Sequence, residues 1–382
     1  MQVQYNTAAY RQSVIAGSQI LITAQAVSAT GVLGQLLPIT DGTITYDFAA
    51  SIRRTCQITI TDPFRTLVPE LSTDVIAPYG QRIKLWMGPV GSPIPMGDFW
   101  IDEVDADDQG SSFDIQIKGF DRSGKIAREA LTAVYKITLG TNIATAIHDL
   151  LYKIDSSITF NFATTTYTTP QTILDLNQDP WAACVQLANA GGMDLFFDRL
   201  GVCVLRPLVD PNTVASSWTY SDNNTNGMGN MISELTKVLV ASNTIFNDVI
   251  VTGETTGTTT TYAGRAQDTD VSSPTYINGP FGDIPVFFKS SILTSNAQAQ
   301  AIAQQKLIYF TGRAQQLSLI GPTNPVQDEE DVVTIVRSVL NINAKYVIDK
   351  ITFALAPAGA NTKKASSTGN QTVTMRKVIA GL

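Results

Sequence analysis

A chain of 382 residues with 44% hydrophobic and only 15% charged residues can bury a sizeable core and exceeds one domain of about 100 to 200 residues, so two or three packed units are expected. Its 26 basic and 33 acidic residues leave a net charge of -7, which excludes a general attraction to nucleic acid or anionic lipid; any passage of DNA would be a transient contact. Cys56, Cys184 and Cys203 form no CxxC or Cys/His cluster, which argues against a metal- or disulfide-stapled fold, and no stretch reaches the roughly 18 apolar residues of a spanning helix, so no stable membrane insertion is expected.

The stretch from Val14 to Ala26 has Arg11 ahead of it and Ala24-Gln25-Ala26 at its end, in the manner of a secretion signal. Gly17, Ser18 and Gln19 interrupt its apolar run, and an N-terminal turn followed by a first strand is expected instead. From Gly42 to Lys118 the residues alternate, as a strand with one buried face requires. Cys56, Ile58 and Ile60 face inward against Thr55, Gln57 and Thr59; Ile83, Leu85 and Met87 repeat the period, as do Phe113, Ile115 and Ile117. Turn chemistry at Asp62-Pro63, Pro78-Tyr79-Gly80, Gly91-Ser92-Pro93 and Asp107-Asp108-Gln109-Gly110 separates these runs, which predicts an antiparallel barrel or sandwich.

After Gly119 the period becomes helical. Thr141 is the expected N-cap of a helix carrying Ile143, Ile147, Leu150, Leu151 and Ile154 on one face. Asp179-Pro180 opens a second helix with Trp181, Cys184, Leu187 and Ala188 as its buried stripe, ending at Gly191-Gly192. Leu195-Phe196-Phe197 and Val202 to Leu205 flank a hairpin turn at Asp198 to Gly201, so residues 121 to 210 form a mixed helical insertion. Strands are expected again at Asp248 to Thr252, Gln316 to Leu319, Val332 to Val336 and Val347 to Leu355. A helix from about Ser295, with Ala299, Ile302, Ala303, Leu307 and Phe310 on one face, interrupts them, and the threonine run from Thr255 to Tyr262 favours extended structure.

Several strings imitate chemistry. Gly119 to Lys125 has the spacing of a phosphate-binding loop, but Ile126 stands where a magnesium-binding hydroxyl is needed and the preceding strand belongs to an antiparallel pattern. A strand-to-helix corner capped by Asp121 is expected. The turn from Asp105 to Gly110 matches part of a calcium loop, but Gln116 replaces its bidentate carboxylate, so a solvated hairpin tip is expected. Asp328-Glu329-Glu330-Asp331 reads as a solvated loop of mutually repelling charges. His148, the single histidine, has no GxSxG or HExxH context to make it a catalytic base. No residue is assigned a catalytic, cofactor-binding or metal-binding role, and no cofactor is expected.

Strings in order along the chain do carry a resemblance. They are Arg53-Arg54-Thr55-Cys56, Asp62-Pro63, Ala77-Pro78-Tyr79-Gly80 and Met96 to Ile101, then Gly119-Phe120-Asp121-Arg122-Ser123, then Asp179-Pro180-Trp181, Phe196-Phe197-Asp198 and Arg206-Pro207. Asn247 to Gly253, the helix from Ser295 and Pro325 to Val333 follow. Together they resemble the hub module of long-tailed phages, found in siphophage minor tail proteins and in the baseplate hubs of contractile tails. The resemblance implies a mainly β fold with α: two small antiparallel β-barrels plus a mixed α/β insertion, divided as 1–120, 121–235 and 236–382, with barrels from about Leu21 to Lys118 and Phe246 to Leu355.

It further implies a homotrimer in the virion tail tip, assembled in the host cytoplasm. Three chains with two barrels each would adapt a sixfold tail-tube or distal tail ring protein to a threefold spike, fibre or tape-measure protein. No enzyme activity is implied, and receptor binding or wall cleavage would sit on another chain, since this one stops at Leu382. Family hubs commonly have Gly-Asp ahead of the strand at Val332, where this chain has Glu330-Asp331. Two alternatives are a receptor- or carbohydrate-binding tail protein using exposed rings such as Trp86 or Trp218, and a cell-wall hydrolase.

Overall fold

The structure is a computed structural model that describes residues 6–15, 20–62, 64–108, 113–222, 232–253, 262–355 and 370–379. Gly17 to Gln19, Pro63, Gln109-Gly110 and the threonines from Thr255 to Thr261 lie outside the described residues. The chain opens with helix α1 (Ala8–Ile15) rather than a turn: Tyr10 and Val14, four residues apart, are both buried, a spacing that a helix places on one face. Strands β1 (Ile20–Val27), β2 (Leu33–Leu37), β3 (Ile39–Asp47), β4 (Arg54–Thr61), β5 (Arg82–Pro89), β6 (Ile94–Asp108) and β7 (Phe113–Phe120) follow. Their alternation is the expected one, with Cys56, Ile58, Ile60, Ile83, Leu85, Met87, Ile115 and Ile117 all buried.

The insertion contains α2 (Arg122–Arg128), β8 (Tyr135–Ile137), α3 (Ile143–Ile154), β9 (Thr159–Phe162), β10 (Thr172–Leu174), α4 (Pro180–Ala190), β11 (Met193–Phe197) and β12 (Val202–Pro207). The cap of α3 is Asn142 and not Thr141. Its side-chain oxygen accepts from Ala144 N at 3.0 Å while its amide donates to Thr165 O at 2.6 Å, so it satisfies a helix end and a neighbouring loop together; the Thr141 hydroxyl turns back to Thr138 O at 2.8 Å. Asp179 caps α4 through Trp181 N and Ala182 N at 2.8 and 3.0 Å, with Pro180 at the first helical position.

The last part holds β13 (Trp218–Ser221), β14 (Glu234–Leu239), β15 (Asp248–Gly253), β16 (Ala263–Gln267), β17 (Pro285–Ser290), α5 (Asn296–Gly312), β18 (Gln315–Pro322), β19 (Val332–Arg337), β20 (Ile342–Ala354) and β21 (Asn370–Lys377). Ser295 caps α5. At Gly264 a Cβ would collide with the backbone of Ala299 and Gln300, so glycine is what lets β16 lie directly on α5.

The fold is mainly β with α, as expected, but its strands are not closed into barrels. One 13-stranded sheet runs in the order β14-β18-β21-β20-β3-β4-β7-β6-β5-β1-β2, with β19 also on β20 and β13 on β19. The reason lies in β3, which spends one edge on β4 and the other on β20, matching Thr43–Asp47 with Lys350–Ala354. An edge that would close one β region on itself therefore joins it to the other. A continuous apolar core runs beneath this sheet, from Tyr10 through Ile117 and from Trp218 through Met375. A second core lies between α2, α3, α4 and the sheet β11-β12-β9, and a third between α5 and the separate sheet β16-β15-β17.

Candidate functional site

The acidic run Asp328 to Asp331, expected to be solvated, is instead the centre of a charge cluster where the sheet meets the insertion. Arg54 is 2% exposed and reaches Asp328 Oδ1 at 3.1 Å and Glu329 Oε1 at 2.8 Å, with another donor on the Phe197 carbonyl. Arg199, fully buried, reaches Asp328 Oδ1 at 3.2 Å and the Pro325 and Gln327 carbonyls. Both guanidiniums lie over the Tyr46 ring, at 4.9 and 4.8 Å. Acids that would repel one another in water are held together because arginines from elsewhere in the chain pair with Asp328, Glu329 and Glu330, while Asp331 accepts from Asp328 N at 2.9 Å.

A second half of the cluster flanks it. Arg53 grips both oxygens of Asp194, Arg206 pairs with Glu330 and reaches Asp194 Oδ2 at 3.4 Å, and both arginines lie over Phe196, at 5.2 and 4.7 Å. Burial alone would raise the Asp328 carboxyl, but Arg199 and Arg54 outweigh it and hold it low; Glu329 goes the other way, raised by burial more than Arg54 lowers it. Glu330 takes a left-handed backbone, φ 65°, a conformation that glycine adopts without strain and that a side-chain-bearing residue holds here.

The strings that carried the resemblance thus converge: Arg53-Arg54, Asp121, Phe196-Phe197, Arg206 and the Pro325–Val333 turn meet in space. Asp121 accepts from Arg54 N at 3.2 Å and from Ser123 N at 2.9 Å, capping α2. The amides of Ser123 and Gly124 are therefore spent on Asp121 and cannot cradle a phosphate, while Lys125 Nζ is held by Asp155 at 2.9 Å. Of the cluster, Arg53, Asp194 and Glu330 line an open groove of about 1140 Å3, walled by α4 and α5 and lined also by Phe48, Phe288, Lys306 and Tyr309.

The other candidates disperse. His148 is stacked on Tyr152 with its ring nitrogen 3.0 Å from Asp149, and among the described residues no serine or cysteine hydrogen-bonds to it. Trp218 is 1% exposed under Arg11 and cannot serve as a sugar platform; Trp86 is half-buried in β5. All three cysteines are buried and unpaired, and among the described residues no group of three His, Cys, Asp or Glu side chains is placed to hold a metal. No described helix is long and apolar enough to cross a membrane.

No protein-family model matches the chain, and no curated protein matches it in sequence. Solved structures do match in fold. A tail protein from Neisseria meningitidis superposes with a TM-score of 0.66 at 13% identity, covering 93% of this chain and 96% of that one. The 43 kDa tail protein of prophage MuSo2 from Shewanella oneidensis gives 0.64 at 13% identity over 93% and 98%. A type VI secretion component of Escherichia coli, itself similar to bacteriophage T4 tail proteins, gives 0.53 at 10% identity over 90% and 74%. The overall β-rich fold is thus shared along nearly the whole chain with these tail proteins, and in fold the chain is phage tail protein-like.

Proposed function

We propose that the chain is a structural hub of a phage tail tip or baseplate, acting through geometry and not catalysis. In this reading it is a virion protein, assembled in the host cytoplasm, and a homotrimer that adapts a sixfold tail-tube or distal tail ring to a threefold spike, fibre or tape-measure protein. The division into 1–120, 121–235 and 236–382 would give two β units flanking the insertion.

The observation that supports it is the run β6-β7-β4-β3-β20-β21-β18-β14, which crosses both β regions, with β14 at one end and, at the other, the length of β6 that β5 does not cover. The described part of β14 pairs only with β18 and its residues are largely exposed. At the other end β5 accompanies β6 only as far as Trp100, so Glu103–Ala106, past an irregularity at Asp102, pairs with β7 alone. Two different edges on one chain make a heterologous contact, which closes into a ring when the rotation between copies permits. Mass measurement of the full chain, alone at high concentration and with its tail-ring partner, tests this. Three copies are expected; a stable dimer or hexamer in the assembled tail overturns the adaptor.

A further inference from the structure

The charged groups that line the groove between α4 and α5 have partners, with one exception. Arg53 is matched by Asp194, Glu330 by Arg206, Arg376 by Asp349 and Arg265 by Asp248, while the Asp210 carboxylate accepts from the Asn212 amide of its own turn. Lys306 is left over. Among the described residues no carboxylate and no hydrogen-bond acceptor meets its ammonium, which sits instead over the Phe288 ring at 4.2 Å. Burial pushes it below the ordinary lysine range, with no carboxylate to oppose the shift.

Arg313, at the C-cap of α5, repeats the arrangement. It lies over the Tyr309 ring at 5.4 Å, and among the described residues no carboxylate pairs with it either. Lys306 and Arg313 are two turns apart, so the helix sets them on one face, about 10 Å from each other along its axis. Tyr309 and Phe310 fill the turn between them, and all four side chains are half-buried. This strip of α5 therefore has a cation at each end and two rings in the middle.

Such a strip selects a spacing of negative charge. Along a strand, residues on one face recur about every 7 Å, so paired carboxylates fall at about 7 or 13 Å and miss one cation. Along a helix, one face recurs after two turns, at about 10 Å, and the intervening turn lies over the rings. A second copy of this chain does not supply that helix: of the described helices only α3 holds a carboxylate within its span, Asp149. We propose that the strip is a docking surface for an acidic amphipathic helix of another protein. Carboxylates two turns apart pair with Lys306 and Arg313, and apolar side chains between them cover Tyr309 and Phe310. The docking concerns a single chain and holds whatever the number of copies that assemble.

Three end-capped, alanine-based helical peptides test this against the full chain by fluorescence anisotropy. The first has glutamates two turns apart with leucines at the turn between; the second has one glutamate moved to the opposite face; the third has glutamines for glutamates. The first should bind saturably and the others about tenfold more weakly, as two partly exposed ion pairs allow. The double variant Lys306→Met with Arg313→Met should melt like the parent, since neither cation has a carboxylate to lose, and should bind the first peptide about tenfold more weakly. Lys306→Glu with Arg313→Glu should prefer a peptide with lysines in place of the glutamates. No saturable binding of the first peptide, equal affinity for all three, or unchanged affinity in the methionine variant overturns the docking surface. Equally tight binding of a proline-broken form of the first peptide overturns the helix as its occupant.

Discussion

Two substitutions in the same cluster should differ severalfold in cost, because exposure decides what a lost partner is worth. Arg54→Met would leave Glu329, 2% exposed, without its guanidinium, and breaking a buried pair costs about 3 to 5 kcal/mol. Glu330→Gly removes a carboxylate from Arg206, but that arginine is 37% exposed and still reaches Asp194, so water compensates most of the loss. Glycine also relieves the left-handed backbone, worth about 1 kcal/mol. Denaturant unfolding at pH 6 should place Glu330→Gly within about 1 kcal/mol of the parent and Arg54→Met far below it. Trp181→Ala belongs with Arg54→Met: the ring is 1% exposed, packs on Phe197 at 5.3 Å and donates to Ser51 O at 3.0 Å, tying α4 to the sheet. Its truncation should cost about 3 to 5 kcal/mol, and a variant that melts like the parent would show the ring to be dispensable.

Individual elements test the corner at Asp121. Its carboxylate takes the Ser123 amide and its backbone carbonyl the Gly124 amide, so the chain should bind no ATP, and Lys125→Ala should leave a flat calorimetric trace flat. Micromolar binding abolished by that substitution would show the corner to be a phosphate site. Local signals of this kind were legible in the residues: alternation in β4 and β7, the Asp179-Pro180 start of α4 and the Ser295 start of α5 all depend on near neighbours. The charge cluster was not legible, because repulsion along Asp328 to Asp331 is local whereas the arginines that cancel it sit more than a hundred residues away, at 53, 54, 199 and 206. Closure failed for the same reason. Alternation specifies which face of β3 is buried and says nothing of which strand takes its second edge.

The whole molecule tests the free edges. Successive N–H groups along a strand point to opposite edges, so of Thr236→Pro and Lys237→Pro in β14, one removes a donor to β18 and the other a donor to the outer edge. The outer one should leave the monomer folded by circular dichroism and abolish three-copy assembly; trimers formed by both variants would remove β14 from the interface. The pairing of β3 with β20 bears on something else, the order of events during synthesis. Asp47 and Lys350 are partners in that register, so some three hundred residues must leave the ribosome before the second edge of β3 is covered. Pairing across such a separation is slow, and an open strand edge meanwhile invites other chains. Nascent chains halted after β12 should therefore have a compact insertion with a protected Trp181 beside a sheet still open at β3. Such chains should be captured by chaperones, and those halted after β21 should escape.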